Sequence, residues 1–393
     1  MRAKIKGFLK NIFFSPKPMP MGNFHGAILI DNETSCRLHL RIEDHGLGIL
    51  ILNARTVLHL NATATEFSYH MIQETQIETV ISEMMKRYRV TAEEARKDFQ
   101  DFKDRLHSLI MSPDLDPETF LDFERIDPHK QKLSAPLRLD CALTYESGEG
   151  SAILFAPTDR VKRTLDTSEW KQILLKAWNA GIPHVVFTGG EPTLRPDIAE
   201  LIAYCEEIGQ VTGLITDGLR LTNPEYLHDL LSSGLDHIML IINPMNEPSW
   251  EAIKDVIAED IFLTAHLTLS YNNQNEFETC LRKLHQLNVK SLSLSAESHE
   301  LMKSLPLLSQ RAVEIGFSLV WDLPVPYSNQ NPIAHEFETH ELRSNGAGAS
   351  WLYVEPDGDV LPGQGLQTVL GNILSDAWKD IWANTQGENP PWT

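Results

Sequence analysis

The sequence predicts an α/β protein built around a partial (β/α) barrel, with a smaller α+β domain before it and an extension after it. Three observations carry this. From residue 137 onward, apolar strand-like runs alternate with helical patterns at intervals of about 25 residues, the rhythm of a parallel sheet. Glycines at 181, 209, 234 and 316 stand just past the last helical turn, where helix stops belong. A Gly-Gly-Glu-Pro turn, residues 189–192, ends one of the strand runs, at the face where such barrels place their ligands.

Residues 1–22 read as a basic amphipathic tail. Arg2, Lys4, Lys6, Lys10 and Lys17 are accompanied by no acid, and Ile5, Leu9, Ile12 and Phe13 fall on one helical stripe. Such a helix suits an acidic partner or a membrane surface. Residues 23–110 form the small domain. The runs "GAILI", "CRLHLRI", "GILIL" and "TVLHL", separated by turn residues, predict a β-meander. Three helices follow, two of them with capping-box spacing, Thr63 before Glu66 and Thr91 before Glu94. Val80, Ile81, Met84, Met85 and Tyr88, then Ala95, Phe99, Phe102, Leu106 and Leu109, recur as core stripes. Residues 111–135, with three prolines and many charges, are a linker.

Residues 136–325 hold the barrel. Seven strand runs, from "LRLDCALT" to "FSLVWDL" (317–323), are separated by six helical segments. In "VVFTGGEPTLRPD" the two glycines permit a sharp turn or a close backbone approach, Pro192 fixes its own φ, and Glu191 places a carboxylate at the tip. "TDG", residues 216–218, ends the next strand. Both turns face one mouth, so Gly189, Gly190, Glu191, Pro192, Thr216 and Asp217 make a candidate ligand pocket.

Composition narrows the function. Of 393 residues, 42% are hydrophobic and 22% charged, ordinary for a globular chain, and the net charge of −20 argues against nucleic-acid binding. The four cysteines are scattered and read as reduced thiols of a cytoplasmic protein. No apolar run approaches the ~18 residues needed to cross a bilayer, which leaves peripheral membrane contact to the basic tail.

Three stretches resemble known families. Residues 57–109, with "LN.TA" and "Y.V..EEA..D...F...L", resemble the PqqD-like modules, winged-helix-type domains that recognise the leader of ribosomally made peptides for an adjacent modifying enzyme. That implies a peptide or protein partner, captured by strand addition and an apolar groove. "VVFTGGEPTLRPD", followed by "GLITDG" and the βα series, resembles the radical S-adenosylmethionine (SAM) partial barrel, in which the GGEP turn holds the amino group of SAM. Residues 345–382, within an extension running from 326 to 393, resemble the SPASM extension.

Radical SAM chemistry needs a [4Fe–4S] cluster on three cysteines of a CxxxCxxC loop after the first strand. The corresponding positions here are Ser147, Ser151 and Leu154, and Asn345 and Gly363 stand where the extension's cysteines are expected. The expectation is therefore no metal site, no [4Fe–4S] cluster, at most weak SAM binding and no catalytic residue. On that reading the chain is a pseudoenzyme acting as a peptide- or protein-binding scaffold. The alternative is a SAM-binding enzyme of the superfamily, with non-radical chemistry or unusual cluster ligation, that modifies a ribosomal peptide.

Overall fold

Strands β1 (Gly22–Leu29), β2 (Ser35–Ile42), β3 (Gly48–Leu52) and β4 (Thr56–Leu60) form one antiparallel meander in chain order. In this computed structural model the described residues are 19–29, 35–53, 56–111, 133–146, 161, 163–320 and 346–385. Most of the basic tail and of the linker, and positions Ser147, Ser151, Leu154 and Asn345, therefore lie outside them. Contacts divide the chain into two units, residues 1–132 and 133–393. No helix among the described residues is long and apolar enough to cross a membrane.

In the N-terminal unit, β1 alternates half-buried and exposed residues, as an outer strand should, whereas β3 is buried along its whole length. Three helices follow, α1 (Ala62–Ile72), α2 (Ile77–Arg87) and α3 (Ala92–Met111); α1 lies on the sheet, and α3 packs on α1 and α2. The α3 stripe of Ala95, Phe99, Phe102, Leu106 and Leu109 is buried throughout, with Phe67 of α1 packed on Phe99 and Phe102 at ring distances of 5.3 and 5.9 Å. Met85, expected in the α2 stripe, is instead 47% exposed, while Val80, Ile81 and Met84 are buried. The Thr91–Glu94 capping box forms as expected, each partner bonding the other's backbone N–H. The one expected at Thr63 does not. Asn61 caps α1, its side chain accepting from the Ala64 N–H at 2.9 Å, and Glu66 turns inward to pair with Arg87 at 2.8 Å.

The second unit is a ten-stranded sheet in the order β11-β10-β9-β8-β7-β6-β5-β12-β13-β14. Strands β5 (Arg138–Thr144), β6 (His184–Gly189), β7 (Val211–Thr216), β8 (His237–Ile241), β9 (Phe262–Leu269), β10 (Ser291–Ala296) and β11 (Ser318–Leu319) run parallel. They are the partial barrel. Helices α4 (Thr167–Asn179), α5 (Ile198–Ile208), α6 (Pro224–Ser232), α7 (Glu247–Ile257), α8 (Phe277–Gln286), α9 (His299–Met302) and α10 (Leu305–Ile315) return between them. The glycine stops are realised: Gly181, Gly209, Gly234 and Gly316 all have φ between 90° and 114°, a region costly for residues with a Cβ. The last barrel strand is described over Ser318–Leu319, and residues 321–345 lie outside the description.

The extension folds as β12 (Trp351–Val354), β13 (Asp359–Leu361), β14 (Gly371–Asn372) and α11 (Trp378–Ala383). Its β12 runs parallel to β5, Leu352 opposite Leu139, so the first barrel strand lies inside the sheet. Tyr145, just past β5, donates to Glu355 at 2.9 Å across the same seam.

The two candidate caps of α1 make a test. Asn61→Ala should lower the unfolding free energy by about 1 kcal/mol, read from urea midpoints, and Thr63→Ala by less. The reverse order would restore Thr63 as the cap.

Candidate functional site at the barrel mouth

The end of β6 is pressed against the end of β5. The Gly190 N–H donates to Thr144 O and the Glu191 N–H to Glu146 O, both at 2.7 Å. This contact is why the two glycines are there. A Cβ at Gly189 would stand 2.1 Å from Thr144 O, and one at Gly190 2.1 Å from Glu146 O. Their room is used for a strand contact, directly before the loop that carries positions 147–154.

Glu191 is 4% exposed, and its carboxylate turns inward rather than to the mouth. Oε1 accepts from the Thr193 N–H (2.9 Å), the Thr193 hydroxyl (2.5 Å) and the Thr216 hydroxyl (2.8 Å). Oε2 accepts from the Asp217 N–H at 2.8 Å. One carboxylate thereby joins the end of β6 to the end of β7. Burial, and then the negative charge of Asp217, push its pKa up from the ordinary carboxylate range, while the hydroxyl and amide donors oppose this. Pro192 opens a short 3₁₀ turn, residues 192–194, capped by Glu191 itself. Asp217 accepts from the Leu219 N–H at 2.9 Å and so shapes the second turn. The residues named from the sequence lie at the adjoining ends of β6 and β7, with the Glu191 side chain turned inward between them.

Two further residues of the same stretch were missed. Arg195 holds Asp197 through two bonds, at 2.9 and 2.6 Å, and donates to Leu143 O (3.2 Å) and Leu165 O (2.9 Å). Asp197 also accepts from the Thr167 hydroxyl at 2.6 Å. A planar guanidinium can serve a carboxylate and two carbonyls together, and here it clamps the end of β5 to the turn after β6. The "RPD" spacing was the available signal.

The barrel lumen has two chemistries. Ala142, Val186, Ile215 and Met239 from β5–β8 pack with Tyr353 and Leu361 of the extension into an apolar cluster. Across the sheet, parallel register puts Thr264 and Ser291 beside Met239, and His266 and Ser293 beside Ile241. His266 is fully buried, with Nδ1 3.0 Å from Ser293 Oγ and Nε2 2.9 Å from Ser295 Oγ, and Thr268 joins Ser295 at 3.0 Å. Burial lowers its pKa to about 3, so it is a neutral imidazole at any ordinary pH. The period-two polar residues in "TAHLTLS" and "SLSLS" carried this signal, unread in the sequence.

The described cysteines do not come together as a set of three. Cys141 lies within β5, Cys205 on α5, Cys280 on α8 and Cys36 in the N-terminal unit, all buried. Among the described residues, no group of three metal-ligating side chains includes a cysteine. Burial, the neighbouring Cys205 and Asp140 hold the Cys141 thiol well above its usual pKa, the opposite of what a thiolate ligand needs. These four do not make a three-thiolate set for a [4Fe–4S] cluster.

Comparison with known proteins places these features. Residues 141–290 match the sequence profile of the radical SAM superfamily, and residues 48–109 that of coenzyme PQQ synthesis protein D (PqqD). The chain is 27% identical over 290 residues to the PqqA peptide cyclase of Methylobacterium sp. (strain 4-46), covering 64% of this chain and 74% of that protein. The PqqA peptide cyclase of Methylobacterium nodulans gives 27% over 292 residues, with 64% and 74% covered. Streptococcus suis SuiB bound to S-adenosylmethionine shares the fold at a TM-score of 0.56 and 16% identity, over 91% of this chain and 88% of that one. SuiB bound to the precursor peptide SuiA gives 0.56 and 15%, over 87% and 86%.

These matches correct the cofactor expectation. No [4Fe–4S] cluster and at most weak SAM was too strong a conclusion from three positions of the sequence, because residues 141–290 match the radical SAM profile as a whole. Nor do the matches support a pseudoenzyme. The relatives are named for a reaction on a peptide, which favours the enzyme alternative.

The glycine contact is testable. Gly190→Ala forces a methyl group into a backbone oxygen and should lower stability by about 3 kcal/mol, measured by urea unfolding. Gly363→Ala meets only side-chain carbons, the Ala347 methyl at 3.2 Å and Leu366 Cδ1 at 3.8 Å, and should lower it by well under half as much. Equal losses would remove the strand contact as the reason for the glycine pair.

Proposed function

We propose that this chain, radical SAM-like in its barrel and PqqD-like in its N-terminal unit, is a SAM-binding enzyme that modifies a ribosomally made peptide. The observation that carries the reading is the Glu191 latch. A buried carboxylate with four donors fixes the two strand ends that the superfamily uses around SAM, and its own backbone turn stays at the mouth. Gly189, Gly190, Glu191 and Pro192 would hold the amino-acid end of SAM, with Thr216 and Asp217 completing that wall. SAM, when bound, supplies a reactive sulfonium.

The residues of the chain then have distinct tasks. Arg195 and Asp197 keep the mouth from opening between β5 and β6. The hydroxyls around His266 offer a wall that can accept or donate to peptide amides, without a charge that would draw in water. The apolar wall opposite suits a side chain. The N-terminal unit provides the peptide partner's docking surface: β1 and β4 are the outermost strands of the meander, and an extended peptide can add to such an edge. The likeness to SuiB, solved with its own precursor peptide, and to peptide cyclases supports a peptide as the substrate class.

Calorimetric titration of the full-length protein with SAM is the direct test. We expect saturable binding that Glu191→Ala weakens at least about tenfold, a loss of about 1.4 kcal/mol. Absence of binding, or equal affinity in the variant, would take SAM out of this mouth.

A further inference from the structure

The N-terminal unit contains a set of ligating side chains that neither the barrel mouth nor the sheet edge uses. Glu66 and His70 stand one turn apart on α1, and Glu83 reaches toward them from α2. Four-residue spacing puts the first two on one helix face. The Glu66 side chain is 0% exposed and that of His70 3%, while Glu83 is 44% exposed and opens the cluster to water.

The distances are those of ligands round a small cation. His70 Nε2 lies 3.8 Å from Glu66 Oε1 and 3.6 Å from Glu83 Oε2, beyond hydrogen-bond range. That buried nitrogen has no hydrogen-bond partner among the described residues. The three ligand atoms all lie within 4.8 Å of one another. A tetrahedral ion with bonds of ~2.1 Å holds its ligands ~3.4 Å apart, so the two histidine–carboxylate distances need only a few tenths of an ångström of closure, while the two carboxylates, within 4.8 Å of each other, close by at most ~1.4 Å.

The surroundings complete the argument. His70 Nδ1 is 3.2 Å from the Thr75 hydroxyl, which fixes the ring and leaves Nε2 facing the carboxylates; metal-bound histidines are oriented in this way. Glu66 Oε2 is held by Arg87 Nε at 2.8 Å, which sets the carboxylate plane while leaving Oε1 turned to His70. Two carboxylates against one guanidinium leave a net negative charge in a largely buried place, and a cation answers it.

We propose that Glu66, His70 and Glu83 bind a divalent transition-metal ion, zinc fitting one imidazole and two carboxylates best, with a fourth position open to water beside Glu83. The ion would staple α1 to α2.

The test uses full-length protein without a histidine tag, stripped with EDTA and titrated with zinc chloride by calorimetry, with melting followed in parallel. One zinc ion per chain should bind at micromolar or tighter affinity and raise the melting temperature. His70→Ala and Glu83→Gln should each weaken binding at least about tenfold. Glu83→Gln changes an exposed side chain and keeps the fold testable where His70→Ala does not fold. Glu78→Gln, also on α2 but paired with Arg96, should leave the affinity unchanged. No zinc bound by the parent protein, or binding retained in both ligand variants, would overturn the proposal and leave the cluster an ion triad.

Discussion

The barrel mouth depends on one buried carboxylate. Parallel strands end in separate loops, and nothing in a sheet ladder prescribes how those loops stand relative to one another. Glu191 does so by accepting two backbone N–H groups and two hydroxyls from the ends of two strands. A buried carboxylate without such donors would carry a desolvation penalty of several kcal/mol; with them, the group that needs donors and the loops that need anchoring satisfy each other. The glycine pair brings β5 into the same arrangement, and Arg195 secures it from the other side. Three strand ends are thereby one rigid object.

That rigidity contrasts with the division of the lumen. The half built from β5 to β8 is apolar and joined to the extension through Tyr353 and Leu361. The half built from β9 and β10 is lined by hydroxyls and one neutral histidine. A buried polar wall is tolerable because its members bond one another. The same groups can exchange those bonds for bonds to a ligand at little net change, since hydroxyls rotate and act as donor or acceptor.

Much of this was legible in the sequence because it is local. Helix stops at glycine, the Thr91–Glu94 box and the α3 stripe are decided within a few residues by backbone sterics, capping and periodicity. That the GGEP and TDG turns lie side by side was legible because strand ends of a parallel sheet share one face. What was not legible needed partners far off in the chain. Asn61 and Thr63 both suit a cap, and only the inward turn of Glu66 toward Arg87 decides between them. Glycine at 189 and 190 signals a close approach without saying to what. The pairing of β12 with β5 leaves no local trace, and neither does the direction of the Glu191 side chain.

That last pairing bears on how the chain is made. Leu139 cannot meet Leu352 until the ribosome has added more than half of the protein between them. Until then β5 is an open, apolar strand edge at the centre of what will become the sheet, the kind of edge that recruits the wrong partner. Loop-closure entropy makes such distant pairings slow to form. The barrel can assemble from β5 onward as it emerges, but the outer edge of its first strand waits for nearly the last strand of the sheet. Truncation before β12 would leave that edge of β5 uncovered, however far the cut lies from the barrel mouth.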